Sequence, residues 1–400
     1  MNNLKINTSH RLFRYSLILL SLAAIAFLYL YRLGSLTKGV SLSEVQASHM
    51  AVGFHGVYHS PFYTPLKLVR SIDFFLFKTH GQTLTRLPNV LFGLLSIACL
   101  TYLVKMWHGK RNALLIGVMF TISAWTLHVS RLASFDVMYL FAACSLTLAH
   151  GLLRQKNPGI RSWYFNALIW GILITIPGCI WLVILDLFLQ RELILKTFRT
   201  TTDTISHKLI AAILFIIWLP LTLVNLSRAG QIKLWLGLPT HFVGIIRLLK
   251  NFVGVIIHLF IRGPQYPQIW LGKAPVLDAF TLAMALIGMY FYFMHYDSPR
   301  AKSLASMFLV SWILIALAGP VSFSLIVPFA YIFAAMGVSY LLHLWTKRFP
   351  NNPLAKNFGI ALVVVVILAS CVYNFRSYFV AWPNNTVTLQ TFSFRLKSVV

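Results

Sequence analysis

Apolar runs long enough to cross the roughly 30 Å of a bilayer's hydrocarbon recur along the whole chain, separated by short segments rich in Lys and Arg. Lipid offers no partner to backbone N–H and C=O groups, so a chain written this way must fold as helices that satisfy their own backbone. The expected fold class is an all-α polytopic membrane protein, with residues 1–400 forming a single membrane domain. It should hold about eleven transmembrane helices, with amphipathic helices in the external loops.

The formal charge of +26 raises the question of nucleic acid. The 34 Lys and Arg residues lie between apolar spans and make no stripe on a soluble domain, so nucleic acid is excluded as a partner. Membrane lipids, through their phosphates, are the expected counter-charge. Cys99, Cys144, Cys179 and Cys371 fall in or at the ends of apolar helices without paired spacing, and read as core residues.

The first apolar run, Tyr15 to Tyr31, lacks a small-residue cleavage pattern and is expected to stay as an anchor. Lys5, Arg11 and Arg14 place its start in the cytoplasm. Residues 32–85 then form a first external loop. Leu87 to Met106 returns, Lys105, Lys110 and Arg111 mark an inner turn, and Asn112 to His128 runs out again. Arg154, Lys156 and Arg161 mark a second inner turn. Trp163 to Gln190 is too long for one span and is interrupted by Pro177 and Gly178, so it reads as a short in-and-out pair. Ile210 to Val224 leads to a second external loop, residues 227–275, where His241 to Phe260 can lie along the interface with Arg247 and Lys250 on its polar side. Four further spans leave residues 374–400 as a short external tail without a separate soluble domain.

Acidic residues are scarce, eight in 400. Glu44 stands alone in the first external loop, either as a group placed for chemistry at the membrane surface or as a solvated loop charge. The same loop carries His49, His55, His59, Lys67, Arg70, Asp73 and Lys78, a mixture that can set a proton acceptor beside cationic phosphate ligands. Three histidines near one carboxylate also allow a divalent metal, although their spacing matches no zinc signature. Arg131 and Asp136, five residues apart, fit either a structural ion pair or an Arg131 held toward a cavity by Asp136. Arg262 opens a Gly-Pro segment running to Pro267, with Tyr266 and Trp270 nearby, suited to a phosphate-binding loop or an interfacial anchor. Asp278 should cap a helix or face the protein, and Asp186 and Asp297 read as cap or headgroup residues near cytoplasmic turns.

The order of these features resembles the GT-C superfamily of membrane glycosyltransferases, in particular bacterial relatives of protein O-mannosyltransferases and of the lipid A aminoarabinose transferase. The likeness rests on Gly39-Val40-Ser41-Leu42-Ser43-Glu44 after the first helix, Thr64-Pro65-Leu66, and Arg86-Leu87-Pro88-Asn89-Val90-Leu91-Phe92-Gly93-Leu94-Leu95. Ser130-Arg131 with Phe135-Asp136, Ile176-Pro177-Gly178, Val327-Pro328 and Tyr378-Phe379-Val380-Ala381-Trp382 extend it over almost the whole chain. Relatives present adjacent Asp and Glu in the first external loop, the Asp assigned to catalysis; here Ser43 and Glu44 stand at those positions. Tyr63 likewise replaces the basic residue that often precedes the Pro-rich motif, leaving Lys67 or Arg70 as substitutes in space.

The resemblance implies an inverting transferase that moves a sugar from a polyprenyl-phosphate donor to a glycolipid or protein acceptor, working in the inner (plasma) membrane with its site facing away from the cytoplasm. Glu44 would orient or deprotonate the acceptor, with Ser43, Asp136 and His59 in support. Lys67, Arg70, Arg131 and Arg262 would hold the leaving lipid phosphate. No cofactor is required by this scheme, and a divalent metal stays open. The alternative is a catalytically degenerate member that binds polyprenyl phosphate or scaffolds a partner. A transporter fits less well, because no repeat or row of midplane ionisable residues is present.

Overall fold

The computed structural model describes residues 16, 19–49, 60, 62–77, 81–156, 158–199, 205–228, 230–241, 244–266, 268–270 and 274–394. The expected N-terminal basic residues, His55, His59 and Lys78 lie outside them. Helices dominate: α1 Leu19–Leu30, α2 Leu42–His49, α3 Thr64–Phe77, α4 Gln82–Ile122, α5 Ala124–Arg131, α6 Asp136–Leu153, α7 Ile160–Ile174, α8 Ile180–Arg199 and α9 Ile205–Ile216 make the first part. There follow α10 Leu219–Leu226, α11 Gln231–Trp235, α12 Ile245–Phe260, α13 Ala279–Met294, α14 Pro299–Ala316, α15 Val327–Arg348, α16 Pro353–Arg376 and α17 Thr386–Thr391. An isolated antiparallel bridge joins Val40 to Phe394, tying the first loop to the C-terminal segment.

Five stretches among the described residues are long and apolar enough to cross a membrane: Gln82–Ile122, Asp136–Leu153, His207–Val224, Phe323–Arg348 and Pro353–Ala381. Leu19–Leu30 and Ala279–Met294 are shorter apolar helices. α4 is two strokes of a hairpin. Gly109 sits at φ 87°, ψ 172°, a conformation no helix continues through, and Lys105, Lys110 and Arg111 flank it as the sequence leads one to expect. Beyond the turn the strokes run side by side: a Cβ added at Gly117 would lie 3.0 Å from Thr101 Oγ1. The expected break at Pro177 and Gly178 likewise separates α7 from α8, with Gly178 at φ 78°.

α6 is apolar on all sides and is the buried axis of the bundle, with 89% of its span enclosed. α13 and α15 cross at a pair of glycines: a Cβ at Gly337 would sit 1.9 Å from the Met284 carbonyl oxygen, and one at Gly288 would sit 1.8 Å from that of Phe333. Small residues admit this backbone contact where lipid supplies no hydrophobic drive for helix association. Asp278 caps α13 as expected, accepting from Phe280 N and Thr281 N, and its Oδ2 also accepts from Asn374 Nδ2 of α16 at 3.1 Å.

Asp186 corrects the expectation of a cap or headgroup residue. It is fully buried, with Trp170 Nε1 donating to Oδ2 at 2.7 Å, Gln190 Nε2 to both oxygens at 2.8 Å, and His150 Nδ1 2.6 Å from Oδ1. Topology signals weigh the charges flanking a span; they do not register a carboxylate inside α8 whose desolvation is offset by three neighbouring donors.

Candidate active site

The loop after α1 turns into α2 through a reciprocal cap. Ser41 Oγ accepts from Glu44 N at 3.3 Å, and Glu44 Oε2 accepts from Ser41 N at 3.1 Å, the pattern of a Ser-x-x-Glu capping box. Glu44 is thus neither isolated nor in a loop. Arg86, in the first turns of α4, donates from Nε to Oε1 at 2.9 Å and from Nη2 to Oε2 at 3.0 Å. Ala133 N adds a donor to Oε1 at 2.9 Å. The same guanidinium donates to Leu33 O at 2.8 Å and Thr37 Oγ1 at 3.1 Å, so one ion pair holds the α1–α2 loop, α4 and the α5–α6 corner together.

That corner carries the rest of the site. Asn89 Nδ2 donates to Ser134 O at 2.6 Å, and Asn89 Oδ1 accepts from Arg70 Nη2 at 2.8 Å. Phe135 stacks on Tyr63 with ring centroids 4.5 Å apart and 9° between planes. Lys67 Nζ and Arg70 Cζ lie 5.7 and 5.3 Å from the Phe135 ring centroid, close enough for cation–π attraction. Lys67 Nζ also donates to Ser60 O, and to Ser60 Oγ at 3.1 Å. Burial, and then the Arg70 charge, bring the Lys67 ammonium down to about 8.

Three cavities lie in series at this end of the bundle. The first, about 200 Å³, is lined by Ser43, Glu44, Tyr63, Asp136, Gln268 and Pro320 among others. The second, about 470 Å³, includes Asp136, Lys250, His258, Tyr266, Pro320 and Ser322. The third, about 450 Å³, adds Arg262, Gly263 and Gln265 to His258, Pro264 and Tyr266. Asp136, Ile269 and Pro320 form the wall common to the first two, and His258, Pro264 and Tyr266 the wall common to the last two. The loop bearing Pro320 is set by close backbone packing: a Cβ at Gly319 would lie 2.1 Å from Gly237 O, and Gly237 touches Gly178 at the α7–α8 break.

Of the residues singled out from sequence, Ser43, Glu44 and Asp136 line the first cavity, and Lys67 and Arg70 stand behind its Phe135 wall. Arg262 faces the third cavity. Arg131 is elsewhere. It forms no ion pair with Asp136; it donates to Tyr31 O and packs against Tyr378 and Phe379 at 5.1 and 4.8 Å. Arg131 closes α5, while Asp136 opens α6 with the hydroxyls of Ser322 and Ser134 on its carboxylate, so five residues of separation span the corner without bringing the side chains together. His59 lies outside the described residues. The sequence assigns no role to Arg86, Tyr63 or His258, and gives Lys250 an interfacial place only; the Ser41-x-x-Glu44 pattern is a local signal for the cap, whereas the Arg86 pairing spans 42 residues. Among the described residues no three His, Cys, Asp or Glu groups gather closely enough to hold a metal ion.

This arrangement of helices and loops recurs in solved structures of low sequence identity. The protein is similar in fold to ArnT from Cupriavidus metallidurans bound to undecaprenyl phosphate, with a TM-score of 0.58 at 11% identity over 94% of this chain and 77% of that one. It is also similar to the oligosaccharyltransferase AglB from Archaeoglobus fulgidus in complex with an inhibitory peptide and a dolichol-phosphate, with a TM-score of 0.54 at 14% identity over 93% of this chain and 56% of that one. Another structure of the Archaeoglobus fulgidus enzyme, in complex with Zn and sulfate, aligns with a TM-score of 0.50 at 14% identity, covering 90% of this chain and 52% of that one. Residues 46–191 match the family model described as dolichyl-phosphate-mannose-protein mannosyltransferase. No curated protein matches the chain in sequence.

Proposed function

We propose that the protein transfers a sugar from a polyprenyl-phosphate donor to a lipid or protein acceptor at the external face of the inner (plasma) membrane, with Asp136 as the carboxylate that receives the acceptor's proton. The observation carrying this reading is the position of Asp136 in the wall shared by two cavities, where a donor in one and an acceptor in the other would meet. The acceptor hydroxyl oxygen bonds to the anomeric carbon as its proton passes to Asp136, and the bond from that carbon to the phosphate oxygen breaks to release polyprenyl phosphate. Inversion at the anomeric carbon follows from a single displacement. Lys67, Arg70 and Arg262 are the cations assigned to the departing phosphate, a charge that grows during transfer.

Glu44 serves as an anchor in this scheme, because four donors already occupy its two oxygens. Ser43, at the position where relatives carry their Asp, contributes a hydroxyl to the first cavity, held 3.0 Å from Ser41 Oγ. With Glu44 engaged, Asp136 is the one carboxylate left among the described residues lining these cavities, fewer protein ligands than divalent-cation sites use, and no step of the transfer is assigned to a metal. The topology that fits has about eleven crossings, the shorter helices included, with α12 along the external interface presenting Arg247 and Lys250 to phosphates.

The test is transfer from a panel of polyprenyl-phosphate sugars in membranes with matched expression of wild type and Asp136→Asn. Loss of transfer with retained donor binding supports the assignment. Undiminished turnover by Asp136→Asn removes it, and donor binding without turnover by the wild type across the panel favours a binding protein.

A further inference from the structure

The far end of the bundle holds a second kind of cavity. α7 and α9 touch at Gly171, where a Cβ would lie 2.4 Å from Trp218 Cδ1 and 3.1 Å from Phe215 O. On the Ile160 side of that contact, α7, α8 and α9 enclose about 340 Å³ lined almost wholly by carbon, including Trp163, Trp170, Leu187, Ile194 and Phe215. Its polar end is His207 and Lys208. The Tyr164 hydroxyl lies 2.6 Å from His207 Nδ1 and braces α7 to α9 there. Trp170 is locked in place by its bond to the buried Asp186, which Gln190 and His150 hold in turn, so this wall is preformed.

Three observations decide what such a cavity takes. An apolar void of this size does not hold water. The stretch His207–Val224 has only 6% of its span buried, so it lies against lipid and the cavity beside it is within reach of hydrocarbon chains. The turns and helix ends bounding it carry Arg154, Lys156, Arg161, Lys196 and Lys208, and such a crowd of cations beside the spans marks a cytoplasmic surface. α6, which runs from Asp136 to the first of these turns, separates the two ends by about 27 Å.

We propose that this cleft binds one anionic glycerophospholipid of the cytoplasmic leaflet, an acyl chain lying between α7 and α9 and the headgroup phosphate at His207 and Lys208. The site is independent of the transfer chemistry at Asp136. A bound chain there completes the packing of α9 against the bundle.

The experiment is native mass spectrometry of the full chain in nonionic detergent, titrated with phosphatidylglycerol or phosphatidylcholine of matched acyl chains. The wild type should retain a single phosphatidylglycerol, favoured by about fivefold, the contribution of one basic residue at a lipid surface. Lys208→Ala should erase that preference, and Ala212→Trp, which fills the cleft, should lose the retained lipid. As a readout that does not depend on a bulky substitution, phosphatidylglycerol brominated on its acyl chains should quench fluorescence in the wild type more than in Trp163→Phe. Equal retention of the two lipids by the wild type overturns the proposal. So does an unchanged lipid count in Ala212→Trp at wild-type melting temperature, or identical quenching in Trp163→Phe.

Discussion

Arg86 grips Glu44 through two parallel hydrogen bonds of 2.9 and 3.0 Å, with the two side chains only 2% and 1% exposed. A buried pair of this kind holds its charges only while both partners are present, since removal of either strands the other away from water.

Glu44→Gln and Arg86→Gln should therefore each destabilise the protein by about 3–5 kcal/mol. The double variant should be less damaged than the two effects added, because two amides leave no uncompensated charge. Thermal unfolding in detergent checks this. Single variants that melt with the wild type would show that the ion pair does not hold the three segments together.

Asp136→Asn should behave in the opposite way. Asp136 is half-buried at a cavity wall, and its carboxylate faces the hydroxyls of Ser322 and Ser134. Transfer should fall by about 10²–10⁴-fold, the usual worth of a positioned general base, while melting temperature and donor affinity stay near wild type. If Glu44→Gln lost turnover at full stability and Asp136→Asn did not, the two roles would be exchanged.

How much of this arrangement was legible depends on the range of the interaction. Pro177-Gly178 announces its break, and Lys105, Lys110 and Arg111 announce the turn inside α4, because the backbone conformations and flanking charges they rest on are local properties. The Ser41-Leu42-Ser43-Glu44 cap is equally local. The partners that decide what Glu44 does are not: Arg86 arrives from α4 and Ala133 N from the α5–α6 corner. The proximity of Arg131 and Asp136 in sequence misled for the same reason, since the corner sends one toward Tyr378 and the other toward Pro320. Hydropathy located apolar runs well, yet cannot tell a lipid-facing α16 from the enclosed α6, which differ in what surrounds them.

The α13–α15 crossing gives a prediction about the scaffold alone. At Gly337 and Gly288 an added methyl would collide with backbone carbonyl oxygens, which cannot rotate aside. Gly337→Ala should cost about 1–3 kcal/mol or more through forced separation of the helices. Gly254→Ala in α12 meets nothing closer than His258 Nε2 at 4.0 Å and should be neutral or slightly stabilising. Equal melting of the two variants would mean the helices do not meet this closely.

Lys67 gives a pH dependence whose sign follows from its environment. Burial and the neighbouring Arg70 lower its folded-state value to about 8, below the lysine reference of about 10.4, so folding disfavours the charged form. The resulting cost to stability is fully present below pH 8 and lifts as pH rises from about 8 to 10.4. Phosphate binding runs the other way. Below pH 8 the ammonium is charged and ready; above it, donor binding must first protonate the amine, and affinity for polyprenyl phosphate should fall by up to about tenfold per pH unit. The second ionisation of a phosphate monoester lies near about 6, so the ligand's own charge is constant over this range. Lys67→Arg should hold its charge and flatten the profile between pH 7.5 and 9.5. Titration of polyprenyl phosphate into both proteins by tryptophan fluorescence separates the outcomes, and parallel profiles would show that Lys67 does not reach the phosphate.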